Sequence, residues 1–167
     1  MKLQLKNIKH TEWASEETNC YQASLYLDDK PLAIVDNEGR GGCDRQKEHP
    51  SFKRENFRKD FFDVMRDVDA YFLSLPRKKC DDLDFEFDMD LEFWCGEQVT
   101  RWLYAKELKR HLKKGSMIKE GKNMYTWTRH LTSEVLKKHH PDAIIFNDLP
   151  FEEALDIYMG KREMNDE

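Results

Sequence analysis

The stretch "YQASLYLDDKPLAIVDNEGRGG", residues 21–42, decides most of the fold. Two short apolar runs, "YQASLYL" and "PLAIV", flank "DDK", with Pro31 beside the turn. Strand-length runs around polar turn residues predict a β-hairpin. Upstream, "LQLKNI" alternates apolar and polar residues, the period of a half-buried strand. Between these strands, "TEWASEETN" is polar and breaks the alternation.

Downstream the period changes. Phe57, Phe61, Val64, Met65, Val68, Phe72 and Leu75 fall at helical spacing and predict one helix over 52–75. Ser51 is its expected N-cap and Pro76 its stop. A second helix is expected from about Asp90 to about Lys114, ended by Gly115. "SMIKEGKNMYTW" reads as a second hairpin turning at 120–123. "TSEVLKKHH" reads as a short helix capped by Thr132 or Ser133, "AIIFN" as a buried strand, and "LPFEEALDIYMG" as a last helix. The tail over 161–167 is expected to fray. Strands in runs and helices in runs predict a mixed α+β fold in a single domain over 1–167. Its expected parts are an N-terminal antiparallel sheet, two longer helices, a second hairpin and short C-terminal helices.

The chain has 167 residues, 37% of them charged, and a net charge of −5. An acidic balance argues against a general DNA binder. The sequence has no apolar run of membrane-spanning length and no leader-type apolar region, so the expectation is a soluble cytoplasmic protein. Cys20, Cys43, Cys80 and Cys95 form no CxxC pair, and free thiols are expected. Neither metal-ligand spacing nor a cofactor motif is written, so no metal and no cofactor are expected.

Asn37, Gly39, Arg40, Gly41, Gly42 and Arg45 are the candidate ligand-binding residues. Glycine permits positive φ, which lets consecutive N–H groups form an anion-binding nest. Arg40 and Arg45 can add charge-assisted hydrogen bonds to a phosphate. The loop is neither a P-loop nor a GxGxxG turn, and a bulged strand end or tight connection accounts for the glycines without any ligand. The neighbouring Ser15, Glu16, Glu17 and Thr18 suit local capping of backbone groups.

His49-Pro50-Ser51 and His130-Leu131-Thr132 each fit His-x-Ser/Thr, a pattern similar to that of the 2H phosphoesterases, where paired histidines act as acid and base. His49 reads as loop and His130 as the approach to a capped helix, unlike the strand context of those enzymes. Asp82, Asp84, Glu86, Asp88 and Asp90 alternate with apolar residues and offer a carboxylate face for a basic partner. The competing reading is a solvated edge that discourages strand pairing. Arg101, Lys106, Lys109, Arg110, Lys113 and Lys114 lie on the second long helix and offer compensation within the chain or between protomers of a homo-oligomer. Tyr125 and Trp127 alternate on the second hairpin and are candidates to stack on a base.

The block "WASEETNCYQASLYLDDKPLAIVDNEGRGGC" and the closing "IIFNDLPFEEALDIY" resemble a pattern in uncharacterised small proteins of bacteriophages and prophages. The resemblance covers both ends and not the middle. It implies a phage accessory protein acting in the bacterial host, of a counter-defence kind, and assigns no activity to any residue. No nucleophile–base–orienter set can be read. The expected function is therefore non-enzymatic binding of a phosphorylated or nucleotide ligand at the glycine loop. The alternatives are an acidic inhibitor of a host protein and a 2H-like phosphoesterase using His49 and His130.

Overall fold

A computed structural model describes residues 1–79 and 85–160. The fold is α+β. In chain order the elements are β1 (Leu3–His10), β2 (Tyr21–Leu27), β3 (Lys30–Asn37), β4 (Arg45–Glu48), α1 (Arg54–Phe57), α2 (Phe61–Leu73), β5 (Lys78–Lys79), β6 (Glu86–Phe87), α3 (Leu91–Lys114), β7 (Met117–Glu120), β8 (Asn123–Thr126), α4 (Ser133–His139), β9 (Ile144–Ile145) and α5 (Phe151–Tyr158). They fall into two compact units, Met1–Val99 and Thr100–Glu167.

In the first unit β1, β2, β3 and β4 form one antiparallel sheet in chain order. Successive side chains on a strand point to opposite faces. One face of the hairpin therefore carries Tyr21, Ala23 and Leu25 opposite Asn37, Val35 and Ala33, all buried. The pairing of β1 slips between Lys6 and Lys9, where Asn7 sits at φ 55°. Before this bulge Lys6 faces Ser24; after it Lys9 faces Gln22. An extra residue in one strand swaps the faces of everything beyond it. So Lys9, rather than Ile8, shares a face with Gln22.

The helix expected over 52–75 is two helices. The one-turn α1 ends at Arg58, which adopts a left-handed conformation (φ 56°). Asp60 then caps α2, its Oδ1 accepting from the Asp63 N–H at 2.9 Å. Ser51 is not the cap: its N–H donates to His49 Nδ1 at 3.0 Å. The reason is local. Asp accepts from the first-turn N–H groups with a short side chain, which makes Asp60 a competing start inside the periodic run. The apolar stripe of α2 is buried as its spacing demands, through Phe61, Val64, Met65, Val68 and Phe72. Asp90 caps α3 by accepting from the Phe93 N–H at 2.7 Å.

In the second unit β7 is the central strand, between β8 and β9. Its alternation serves two cores. Met117 packs with Leu108, Phe146, Leu155 and Ile157. Ile118 packs with Leu136, Ala143 and Ile145. Gly115 follows α3 because a Cβ there would collide with the Trp127 carbonyl and stand 2.7 Å from the Arg129 nitrogen. Arg101 is held by Asp156 and Glu152, each at 2.6 Å. Thr132 caps α4, as expected. No helix among the described residues is long and apolar enough to cross a membrane.

Candidate functional site

The glycine loop is built around one side chain. Asn37 ends β3 almost fully buried. Its Oδ1 accepts from the Gly39 N–H and the Thr18 hydroxyl, both at 2.8 Å. Its Nδ2 donates to the Gly42 carbonyl and to Asp44 Oδ1, both at 2.9 Å. An asparagine amide has two acceptor and two donor sites, and all four are used.

Gly39 is buried at φ 83°, where a Cβ would collide with the Ala14 carbonyl. Its own carbonyl accepts from three consecutive N–H groups, those of Glu16 and Glu17 at 2.9 Å and Thr18 at 3.3 Å. Gly41 sits at φ 75°, a backbone conformation that favours glycine, beside the mobile end of the exposed Glu17 side chain, and its N–H reaches Thr18 Oγ1 at 3.4 Å. The 15–18 segment and the glycine loop therefore brace each other. The Gly39 and Gly41 N–H groups, two of those a nest would use, already have partners.

The network continues inward. Asp44 Oδ2 accepts from the Tyr21 hydroxyl. Tyr21 is 5% exposed and neighbours the fully buried Cys95. Burial, then the Cys95 thiol and the Asp44 carboxylate, hold the Tyr21 phenol far above its ordinary ionisation range. Burial likewise pushes the Cys95 thiol up, which makes it inert rather than nucleophilic.

Beside the loop lies a cavity of about 640 Å³. That is within the ~300–1,000 Å³ range of small-ligand sites. Its floor includes one cross-sheet row, Lys9–Gln22–Asp36–Arg45, assembled by the registers of four strands. Its walls come from the short 3-10 turn Glu12–Ala14 and from the loop residues Asn37, Glu38 and Arg40. Arg45 is engaged by Asp36, through Nε at 2.6 Å, and by Glu38. This raises the Arg45 pKa further and spends its charge. Lys47 stands 4.0 Å from the same Asp36. The side chains of Lys9 and Arg40 have no hydrogen bond or ion pair among the described residues.

Of the candidate ligand residues, Asn37, Arg40 and Arg45 line this cavity, and Gly39, Gly41 and Gly42 shape its loop. Sequence reading missed Lys9, Trp13, Gln22 and Asp36. Trp13 did leave a signal, as a lone large aromatic in a polar segment.

The other candidates lie elsewhere. Tyr125 and Trp127 both lean on His140, with ring centres 5.9 Å apart in each case. The His140 ring meets Glu120 at 3.1 Å. One face of the Tyr125 ring is therefore already engaged, while Trp127 meets the imidazole edge to face. His49 belongs to the first unit and accepts from Ser51; His130 belongs to the second and is exposed. In the acidic segment Asp88 pairs with Arg77 at 3.1 Å, Asp90 is a helix cap, and Glu86 is exposed on β6. Asp82, Asp84 and Cys80 lie outside the described residues, as does the 161–167 tail. Among the described residues no group of three His, Cys, Asp or Glu side chains is placed to hold a metal ion. No family model, curated protein or solved structure matches this chain.

Proposed function

We propose that this chain is a binding protein for a small phosphorylated ligand, held in the cavity beside the glycine loop. One observation carries the reading. Lys9 and Arg40 line the cavity without an acidic partner among the described residues, while Arg45 and Lys47 are compensated by Asp36. A phosphate group supplies the missing negative charge, and a guanidinium meets it with paired hydrogen bonds.

The loop contributes by position rather than by its own N–H groups. Gly39 and Gly41 let the chain turn tightly enough to present Arg40 at the wall. The reading combines with the resemblance to phage accessory proteins as a sequestration role in the bacterial cytoplasm: the ligand is a phosphorylated signal of the host, bound and not consumed. The alternative partner, a host protein docking on the acidic segment, has less support, because Asp88 and Asp90 are already engaged.

The test is calorimetric titration with phosphorylated metabolites and nucleotides. Binding is expected for the parent chain and about tenfold or greater weakening for Arg40→Ala and Lys9→Ala, the loss of one charged hydrogen-bond partner each. Ligand released by denaturation is expected to be chemically unchanged. Undiminished affinity in both variants would place the site elsewhere, and a converted ligand would make the protein an enzyme.

A further inference from the structure

Building on that reading, we infer that the ligand is a nucleotide carrying one or two negative charges, with its base laid on Trp13. Two features of the cavity lead there.

The first is the indole. Trp13 lines the cavity and is 88% exposed, more than any other large apolar residue of the described chain. It is not on a loose end. The turn that carries it is closed by Thr11 N–H to the Cys20 carbonyl at 2.9 Å and by Ala14 N–H to the Thr11 carbonyl at 3.2 Å. The Ser15 hydroxyl donates to the Thr11 carbonyl and accepts from the Cys20 N–H, both at 2.9 Å. Beyond Ser15, the three N–H groups on the Gly39 carbonyl fix the segment to the opposite wall. A turn fixed in this way presents the indole from an ordered backbone, so stacking costs only the ordering of its own two side-chain torsions, and any nucleobase offers it a π-face.

The second is charge. The lining holds four cations (Lys9, Arg40, Arg45, Lys47) and three carboxylates (Glu16, Asp36, Glu38). The surplus of one positive charge suits a phosphate monoester or a cyclic phosphodiester. A triphosphate carries more negative charge than that surplus balances, and uncompensated like charges in one site repel. Gln22, exposed between Lys9 and Asp36 in the floor row, offers an amide to a base edge or a sugar hydroxyl.

The experiment compares adenosine, guanosine, cytidine and uridine 5′-monophosphates, their 3′,5′-cyclic forms, the triphosphates and ribose 5-phosphate, by calorimetry and tryptophan fluorescence. At least one mono- or cyclic nucleotide is expected to bind roughly tenfold or more tightly than ribose 5-phosphate, since stacking on one aromatic ring gives a factor of that order, and more tightly than the triphosphate of the same nucleoside, which like charge disfavours. Trp13→Ala is expected to lose that advantage, and Trp13→Phe, which keeps a ring, to recover part of it. Both variants are checked for unchanged circular dichroism. Equal binding of ribose 5-phosphate and the nucleotides, or no loss in Trp13→Ala, overturns the inference and leaves the phosphate reading standing. Tightest binding by a triphosphate overturns the charge argument. Silence from every phosphorylated probe overturns both.

Discussion

Asn37 makes four hydrogen bonds from a buried amide, two accepted and two donated. Asn37→Asp keeps the shape but turns the donors into acceptors facing the Gly42 carbonyl and the Asp44 carboxylate. Urea denaturation at neutral pH is expected to show a loss of about 2–3 kcal/mol, the cost of leaving buried polar groups unpaired. The glycines divide in the same way. Gly39→Ala places a Cβ against the Ala14 carbonyl at a positive φ and is expected to cost about 1–3 kcal/mol. Gly42 has open space around its Cβ position and a φ that other residues adopt, so Gly42→Ala is expected to change stability by less than about 0.5 kcal/mol. Equal costs at the two positions would remove the argument that the brace between residues 15–18 and the loop sets the glycine requirement. A sequence shows that glycines cluster; which of them meets another segment is a fact of the folded chain.

At the scale of elements, the clearest lesson is in α1 and α2. The apolar spacing over 52–75 was legible, and the residues it names on α2 are buried. The start was not legible, because the periodic signal runs through Phe57 without registering the break at Arg58. Asp60→Ala is expected to destabilise the protein by about 1 kcal/mol through loss of the cap, whereas Ser51→Ala is expected to be near neutral. Thermal unfolding of the two variants side by side checks this; a larger loss in Ser51→Ala would restore the longer helix. The strand elements teach the complementary point. Alternation in "LQLKNI" predicted β1 correctly, but the bulge at Asn7 decides that Lys9 reaches the cavity floor. The bulge is a pairing event between two strands, and a single strand's pattern does not contain it.

At the scale of the whole molecule, the buried ionisable groups make alkaline stability measurable. Burial and then the Glu107 carboxylate raise the Tyr158 pKa from 10.0 to about 12. Tyr21 is raised further, chiefly by burial, and Cys95 is raised from 9.0 by the same cause. Above each unfolded value the unfolded chain has released a proton that the folded chain still holds. Unfolding therefore gains from rising pH, and the stability these groups contribute is present at neutral pH and declines from about pH 9 upward. Denaturation followed against pH is expected to show that decline, shallower in Tyr21→Phe and Tyr158→Phe. A flat alkaline limb would contradict the burial of Tyr21 and the partial burial of Tyr158. Thiol labelling reads the same interior: exposed Cys43 is expected to react at once, and Cys95 only at the rate of unfolding.

The sequence by itself determined the α+β class and most of the longer elements, because periods of two and of 3.6 residues are written locally and burial obeys them; it showed neither the strand β4 nor the break between α1 and α2. It also marked the glycine loop and its arginines. Only the tertiary structure decided what surrounds that loop. Arg45 is occupied by Asp36 and Glu38, Arg40 is left facing a cavity, and Trp13 and Lys9 arrive from segments that read as a polar loop and an ordinary strand. Each of these facts depends on strand register or on which backbone groups meet across the fold. Such pairings join residues distant in sequence, so they belong to the folded chain and to no single stretch of it.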